Sequence, residues 1–181
     1  MNNPYETRSS KVVYQNPWIS IHEDEVTLPS GSPGTYGYME SKDSVMVAVL
    51  DDQNRVYLAK GFRYPTKTWG WELPGGGGEG EEFIEASKRE LLEETGIKAS
   101  SWEILGKAYV CDGLMTEQMA VALARDLTIG ESPSNNEEVF DGSGFFSFDE
   151  IDQMIQAGEI NDCQTITGFY FLEKHLTKHT S

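Results

Sequence analysis

The stretch Gly75–Ile97 reads GGGGEGEEFIEASKRELLEETGI. A glycine-rich loop opens it, a helical pattern dense in carboxylates follows, and Gly96 closes it. At about 100° per residue, Glu90 and Glu94 stack one turn apart on one helix face, with Glu93 beside them. Like charges at that spacing destabilise an isolated helix by roughly 0.2–0.5 kcal/mol per pair. Carboxylates in the last turn also oppose the helix dipole. Arg89 relieves part of this, because it reaches Glu93 one turn on. Ile84 and Leu91, a heptad apart, face elsewhere and can pack on a sheet. The helix therefore has one anchored side and one acidic side. Local folding rules are broken in one place, which is where a functional site is expected. A hard divalent cation, Mg²⁺ or Mn²⁺, suits such a face, and it brings phosphate chemistry with it.

Outward from this stretch, the pattern alternates strands and helices. Residues 1–10 read as a loose arm, and 11–15, 18–28 and 36–40 as strands around the turn cluster Pro29–Gly34. Ser44–Leu50 (SVMVAVL) is a continuous apolar strand, expected to be buried on both faces. Asp51–Asn54 reads as a hairpin turn, with Arg55–Phe62 as the partner strand and 63–71 as a loop. The acidic helix spans about 82–95, and strands follow at 102–110 and 117–125. A polar, acidic loop covers 126–142, and Phe145–Phe148 is a short strand. Asp149 is the expected N-cap of a helix at 150–157, and a last helix runs over about 163–177. Helices set between strands imply an α/β sandwich, a mixed sheet covered by helices.

The spacing Gly75-x5-Glu81-x7-Arg89-Glu90-Leu91-x-Glu93-Glu94-x-Gly96-Ile97 resembles the Nudix box at each defining position. The resemblance implies an α/β/α sandwich and an enzyme that splits a nucleoside diphosphate linked to another moiety. It carries the family's cation ligands onto Glu90 and Glu94, with Glu93 close to the same cluster and Arg89 orienting the glutamates. A loop carbonyl, from Pro74 or Gly75, adds a ligand.

Upstream, Val12-Val13-Tyr14-Gln15-Asn16-Pro17-Trp18-Ile19, Leu28-Pro29-x-Gly31, Gly61-Phe62-Arg63-Tyr64-Pro65 and Trp71-Glu72-Leu73-Pro74-Gly75 are similar to the ADP-ribose pyrophosphatase branch. That branch implies N-terminal strands (residues 1–40) exchanged across a homodimer, followed by a hydrolase domain at 41–181. It makes Arg63 a contact to substrate phosphates, the alternative being an ordinary surface ion pair. Glu72 is either a ligand or a support for one. Trp18 either stacks on the base or packs in the core or a dimer. The branch also implies a general base from an acidic loop well after the box, Glu137 or Glu138 here, the alternative being a solvated acidic loop. One departure stands out: where ADP-ribose-specific members carry Ser-Pro-Gly, this chain has Cys111-Asp112-Gly113. A GDP-sugar or another nucleoside diphosphate sugar therefore competes as substrate.

The chain has 181 residues, enough for one sizeable core. Its 30 acidic and 14 basic residues give a net charge of −16, which repels nucleic acid and anionic membranes. A phosphate ligand then needs local cations. Cys111 and Cys163 show no metal-site spacing, and His22, His175 and His179 show none either. The polar N-terminus carries no apolar leader segment, and no run reaches membrane-spanning length, so a cytoplasmic enzyme is expected. A nucleotide-sensing module without catalysis is the rival, and the intact Arg89–Glu94 cluster argues against it.

Overall fold

Strand β4 (Ser44–Val49) is buried along its whole length and organises everything that positions the site. The computed structural model describes residues 3–78, 80–131 and 139–179. In chain order they form β1 (Glu6–Gln15), β2 (Ile19–Thr27), β3 (Pro33–Ser41), β4, β5 (Val56–Arg63), β6 (Thr68–Glu72), β7 (Gly75–Gly77), α1 (Phe83–Thr95), β8 (Lys98–Tyr109), β9 (Gln118–Thr128), β10 (Phe140–Phe146), α2 (Phe148–Ala157) and α3 (Cys163–His179). Three sheets result, with strand orders β1-β2-β3, β10-β5-β6 and β7-β4-β9-β8. The β4–β9 pair is parallel, and the other pairs are antiparallel.

The strand period of two divides β4 between two cores. Met46, Ala48 and Leu50 join Val121, Leu123, Phe169 and Leu172 on the α3 side. Val45, Val47 and Val49 face the other way, toward Ala86 and Leu91 of α1. On β9, small residues (Ala120, Ala124) sit under α1, so the helix lies close on the sheet. A sheet with helices on both faces is the α/β/α sandwich expected from the sequence.

Several local expectations change. Residues 6–10 belong to β1 and pair with β2, so the arm is a strand. Asp51–Asn54 does turn: the Asp51 N–H donates to the Arg55 carbonyl and the Asn54 N–H to the Asp51 carbonyl. The strand after it leaves for another sheet, and only the Leu50–Val56 bridge joins it to this one. The two sides of β4 are already taken by β7 and β9. The segment read as a loop up to Trp71 contains β6, which pairs with β5. Ser147, two residues before Asp149, caps α2 in a reciprocal capping box with Glu150.

The N-terminal sheet contributes Val26 to the buried set, while β1 is exposed throughout. It is tied to the turn after β8 by Met39 N–H to Leu114 carbonyl (2.8 Å) and Thr116 N–H to Met39 carbonyl (3.0 Å).

Candidate active site

The acidic face of α1 is organised around Arg89. Its Nε donates to Glu81 (3.2 Å), and its Nη1 donates to Glu90 (2.9 Å) and Glu93 (3.1 Å). Its Nη2 donates to the Gly77 carbonyl at 2.9 Å, so one guanidinium fixes three acids and the glycine strand. Burial opposes the charge on Arg89, but the hydrogen bond and Coulomb attraction from Glu90, then the hydrogen bonds to Glu81 and Glu93, outweigh it. Its pKa is raised. The i+4 reach from Arg89 to Glu93 is as the sequence implied. Glu81 appeared there only as a spacing residue, and its tie to Arg89 shows why that spacing exists: it brings the loop carboxylate back over the helix.

Glycine is required where the loop meets β4, and a side chain at Gly76 would displace the Glu90 carboxylate. A Cβ on Gly76 would lie 2.7–2.8 Å from the Glu90 carboxylate, and one on Gly75 only 2.1 Å from the Val45 carbonyl. The loop is thus pressed between β4 and α1 at backbone distance. The Pro74 carbonyl accepts from the Val47 N–H (2.7 Å), while the Gly75 N–H donates to Glu94 Oε2 (3.0 Å). In an extended strand one residue's N–H and C=O lie along the same edge. Gly75 therefore turns its carbonyl toward α1, and Pro74 turns its own toward β4. At the other end Gly96 (φ 71°) closes α1 in the left-handed conformation.

Arg63 and Glu72 form the second feature. Glu72 is 6% exposed, and both its oxygens accept from Arg63 Nε, at 3.1 and 2.9 Å. The pair stands between two clefts. One, of about 1090 Å³, includes Glu90, Gly75–Gly77 and Trp18 in its lining, together with the first turn of α3. The other, of about 430 Å³, has Glu94 in its lining. Arg63 and Glu72 line both. Trp18, 76% exposed, is not packed in the core of its own chain, which leaves base stacking or a dimer contact.

The sequence brought no attention to the start of α3. Asp162 accepts from the Thr165 N–H (2.7 Å) and caps the helix, while Gln164 reaches Ser44 and Glu117 across the larger cleft. The capping aspartate ahead of the helix was the available signal. His22 pairs with Glu40, and His175 lies 3.7 Å from Glu103, both away from the cluster. Glu137 and Glu138 lie outside the described residues.

Among the described residues, no three His, Cys, Asp or Glu side chains form a ready-made metal cage. The donor set nevertheless fits Mg²⁺, which takes one or two carboxylates and leaves its remaining positions to water and substrate oxygens. Glu90 and Glu94 are two half-buried carboxylates on one face, beside a loop turned toward them. No helix among the described residues is long and apolar enough to cross a membrane.

The comparisons with known proteins agree with this geometry. Residues 40–164 match the NUDIX domain, and residues 5–39 match the nucleoside diphosphate sugar hydrolase N-terminal domain. The chain belongs to the Nudix family, whose hydrolases generally use divalent metal ions. Within it, the chain is an enzyme, a hydrolase of the ADP-ribose-pyrophosphatase-like branch. It is 28% identical over 169 residues to the ADP-ribose pyrophosphatase of Mycobacterium tuberculosis, covering 91% of this chain and 81% of that one. It is 25% identical over 170 residues to the ADP-ribose pyrophosphatase of Bacillus subtilis, covering 93% and 92%. The crystal structure of an ADP compounds hydrolase shares the fold, with a TM-score of 0.84 at 19% identity, over 97% of this chain and 95% of that one.

Proposed function

We propose that this hydrolase cleaves the diphosphate of ADP-ribose or a related nucleoside diphosphate sugar, giving a nucleoside monophosphate and a sugar phosphate, with Mg²⁺ preferred and Mn²⁺ as a substitute. The observation that carries this is the meeting of the glycine strand with Glu90 and Glu94 at the junction of two clefts. The ADP-ribose pyrophosphatases among its relatives support the substrate class.

Glu90, Glu94 and the Gly75 carbonyl would hold the cation, which supplies charge neutralisation at the diphosphate and a water of lowered pKa. Arg89 keeps Glu90 and Glu93 in place through its fork of donors. Arg63 faces the substrate phosphates, and Glu72 fixes the plane of its guanidinium. Trp18, on the rim of the larger cleft, offers a face on which a base can stack. Glu137 or Glu138 accepts the proton of the attacking water, a contribution of roughly 10²–10⁴-fold.

Residues 1–40 act as a separate unit through which two copies form a homodimer in the cytoplasm. The exposed Val12, Val13 and Tyr14 of β1 support that reading. A second reading of the substrate, a GDP-sugar, is favoured by Asp112 in the turn after β8. A carboxylate there can accept from donors that a proline ignores.

Incubating the protein with Mg²⁺ and a panel of nucleoside diphosphate derivatives, with products separated by chromatography, tests both readings. ADP-ribose should yield AMP and ribose phosphate only when Mg²⁺ is present. Absence of metal-dependent cleavage across the whole panel would defeat the proposal.

A further inference from the structure

The chain's two cysteines are distant in sequence and approach each other beside the larger cleft. Both are free and exposed. Cys111 opens the turn after β8, where its carbonyl accepts from the Leu114 N–H (2.9 Å) and the Met115 N–H (2.8 Å). Cys163 is the first residue of α3 and lines the larger cleft. Glu117 joins the two places. Its carbonyl accepts from the N–H of Val110, the residue before Cys111, at 3.1 Å. Its side chain accepts from Gln164, the residue after Cys163, at 3.4 Å. The sulfurs are also within electrostatic reach. Burial pushes the Cys163 thiol up, Asp162 adds to this, and Cys111 and Glu117 add smaller amounts against the pull of the Cys163 N–H.

Two thiols so placed make a poor metal site. A structural site takes four protein ligands, and no group of three His, Cys, Asp or Glu forms among the described residues. A disulfide asks for the two sulfurs alone, in a specific geometry. Residues 111–114 are all exposed, so the turn can shift toward α3 without disturbing the core. The shift would draw it across the side of the cleft where Gln164 bridges Ser44 and Glu117.

We propose that Cys111 and Cys163 form a reversible disulfide by exchange with a small-molecule disulfide, and that this bond narrows the larger cleft. One protein thiolate attacks the small disulfide, giving a mixed disulfide and releasing one small thiol. The other protein thiolate then attacks the protein sulfur of that mixed disulfide, closes the Cys111–Cys163 bond and releases the second small thiol. Two electrons pass from the protein thiols to the reagent, and their two protons end on the released thiols. The raised Cys163 thiol suits the second step, where the target is already beside it. A bond at the surface stays open to reductants, so it is of the labile, regulatory kind.

Treating the protein with oxidised glutathione and weighing it under non-reducing conditions tests the bond. The expected product is a monomer lighter by two hydrogens, whose digest contains one peptide pair joined through Cys111 and Cys163. Glutathione retained on both cysteines, a disulfide between two copies, or unreacted thiols would overturn the proposal. The narrowing rests on the reading of the site as a diphosphate hydrolase, and Mg²⁺-dependent cleavage of ADP-ribose measures it. Oxidation should lower kcat/KM by about tenfold, the scale of a small misplacement in a site, and dithiothreitol should restore it. In the variant carrying both Cys111→Ser and Cys163→Ser, the same treatment should leave the rate where it stood before. A cross-linked protein that keeps its full rate would overturn the narrowing. If the reduced protein cleaves no substrate, the diphosphate reading falls instead, and the mass still decides the bond.

Discussion

Helices α1 and α2 are both acidic, and only α1 crowds acids into its last turn. In α2, Asp149 and Glu150 occupy the first turn, where the helix dipole favours them, and Glu150 closes the capping box with Ser147. In α1, Glu93 and Glu94 crowd the last turn without a basic residue there, and Glu82 makes no side-chain cap. The acids of α2 obey the local rules and serve the fold. Glu90, Glu93 and Glu94 of α1 break them and are held by Arg89 and by the glycine strand. A carboxylate's position along its helix thus separates folding from function in one molecule.

Substitutions that move one helix and not the other can break this contrast. The largest effect is expected from Glu94→Gln, which removes charge from the face without changing its shape. Metal-dependent hydrolysis of ADP-ribose should fall by about 10³-fold, equivalent to roughly 4 kcal/mol. The melting temperature should hold or rise, since a like-charge pair is relieved. Near-normal turnover would show that the face is not a cation site.

Arg89→Ala should affect both properties. It leaves Glu81, Glu90 and Glu93 without their shared partner. We expect a stability loss of about 1–2 kcal/mol in urea titration, and about a 10²-fold drop in kcat. If stability falls while kcat is kept, the orienting role is gone.

Ser147→Ala should do the reverse of Glu94→Gln, costing about 1 kcal/mol of stability and leaving kcat/KM unchanged. A matching loss of activity would mean that α2 communicates with the site.

The smallest expected effect is a matter of pH. The Ser147 N–H and then its hydroxyl hold the Glu150 carboxyl below its ordinary range. The folded chain therefore binds that proton less readily than the unfolded chain does. The resulting stability is complete above about pH 5 and disappears as the pH falls through the depressed value. The difference in melting temperature between Glu150→Gln and the unmodified protein should be full at pH 7 and shrink as the solution is acidified below about pH 5. A difference that does not shrink on acidification would place the contribution elsewhere.

The elements that were legible in the sequence are those whose partners their own pattern dictates. SVMVAVL can only be a strand covered on both sides, and α1 announces itself through its spacing and closing glycine. The parting of β5 from β4 was not legible. The turn at Asp51–Asn54 forms as its residues demand, but the strand sides of β4 are filled by β7 and β9 from later in the chain. Ser147 was missed as a cap because Phe148 extends the aromatic run of β10 by composition, although Ser147 and Glu150 carry the capping-box spacing. In the site, the box gave the helix-borne acids and the loop. Arg63 and Glu72 were each named through resemblance alone and not as partners, and the α3 side of the larger cleft depends on long-range packing that no local spacing encodes.

The glycine strand is stitched to the most deeply covered strand in the domain: Gly75, Gly76 and Gly77 pair with Met46, Val45 and Ser44. Segments fastened in this way open only when the global structure does. The loop facing the acids thus cannot fray on its own, and warming the enzyme should extinguish catalysis and foldedness together, as one melting event.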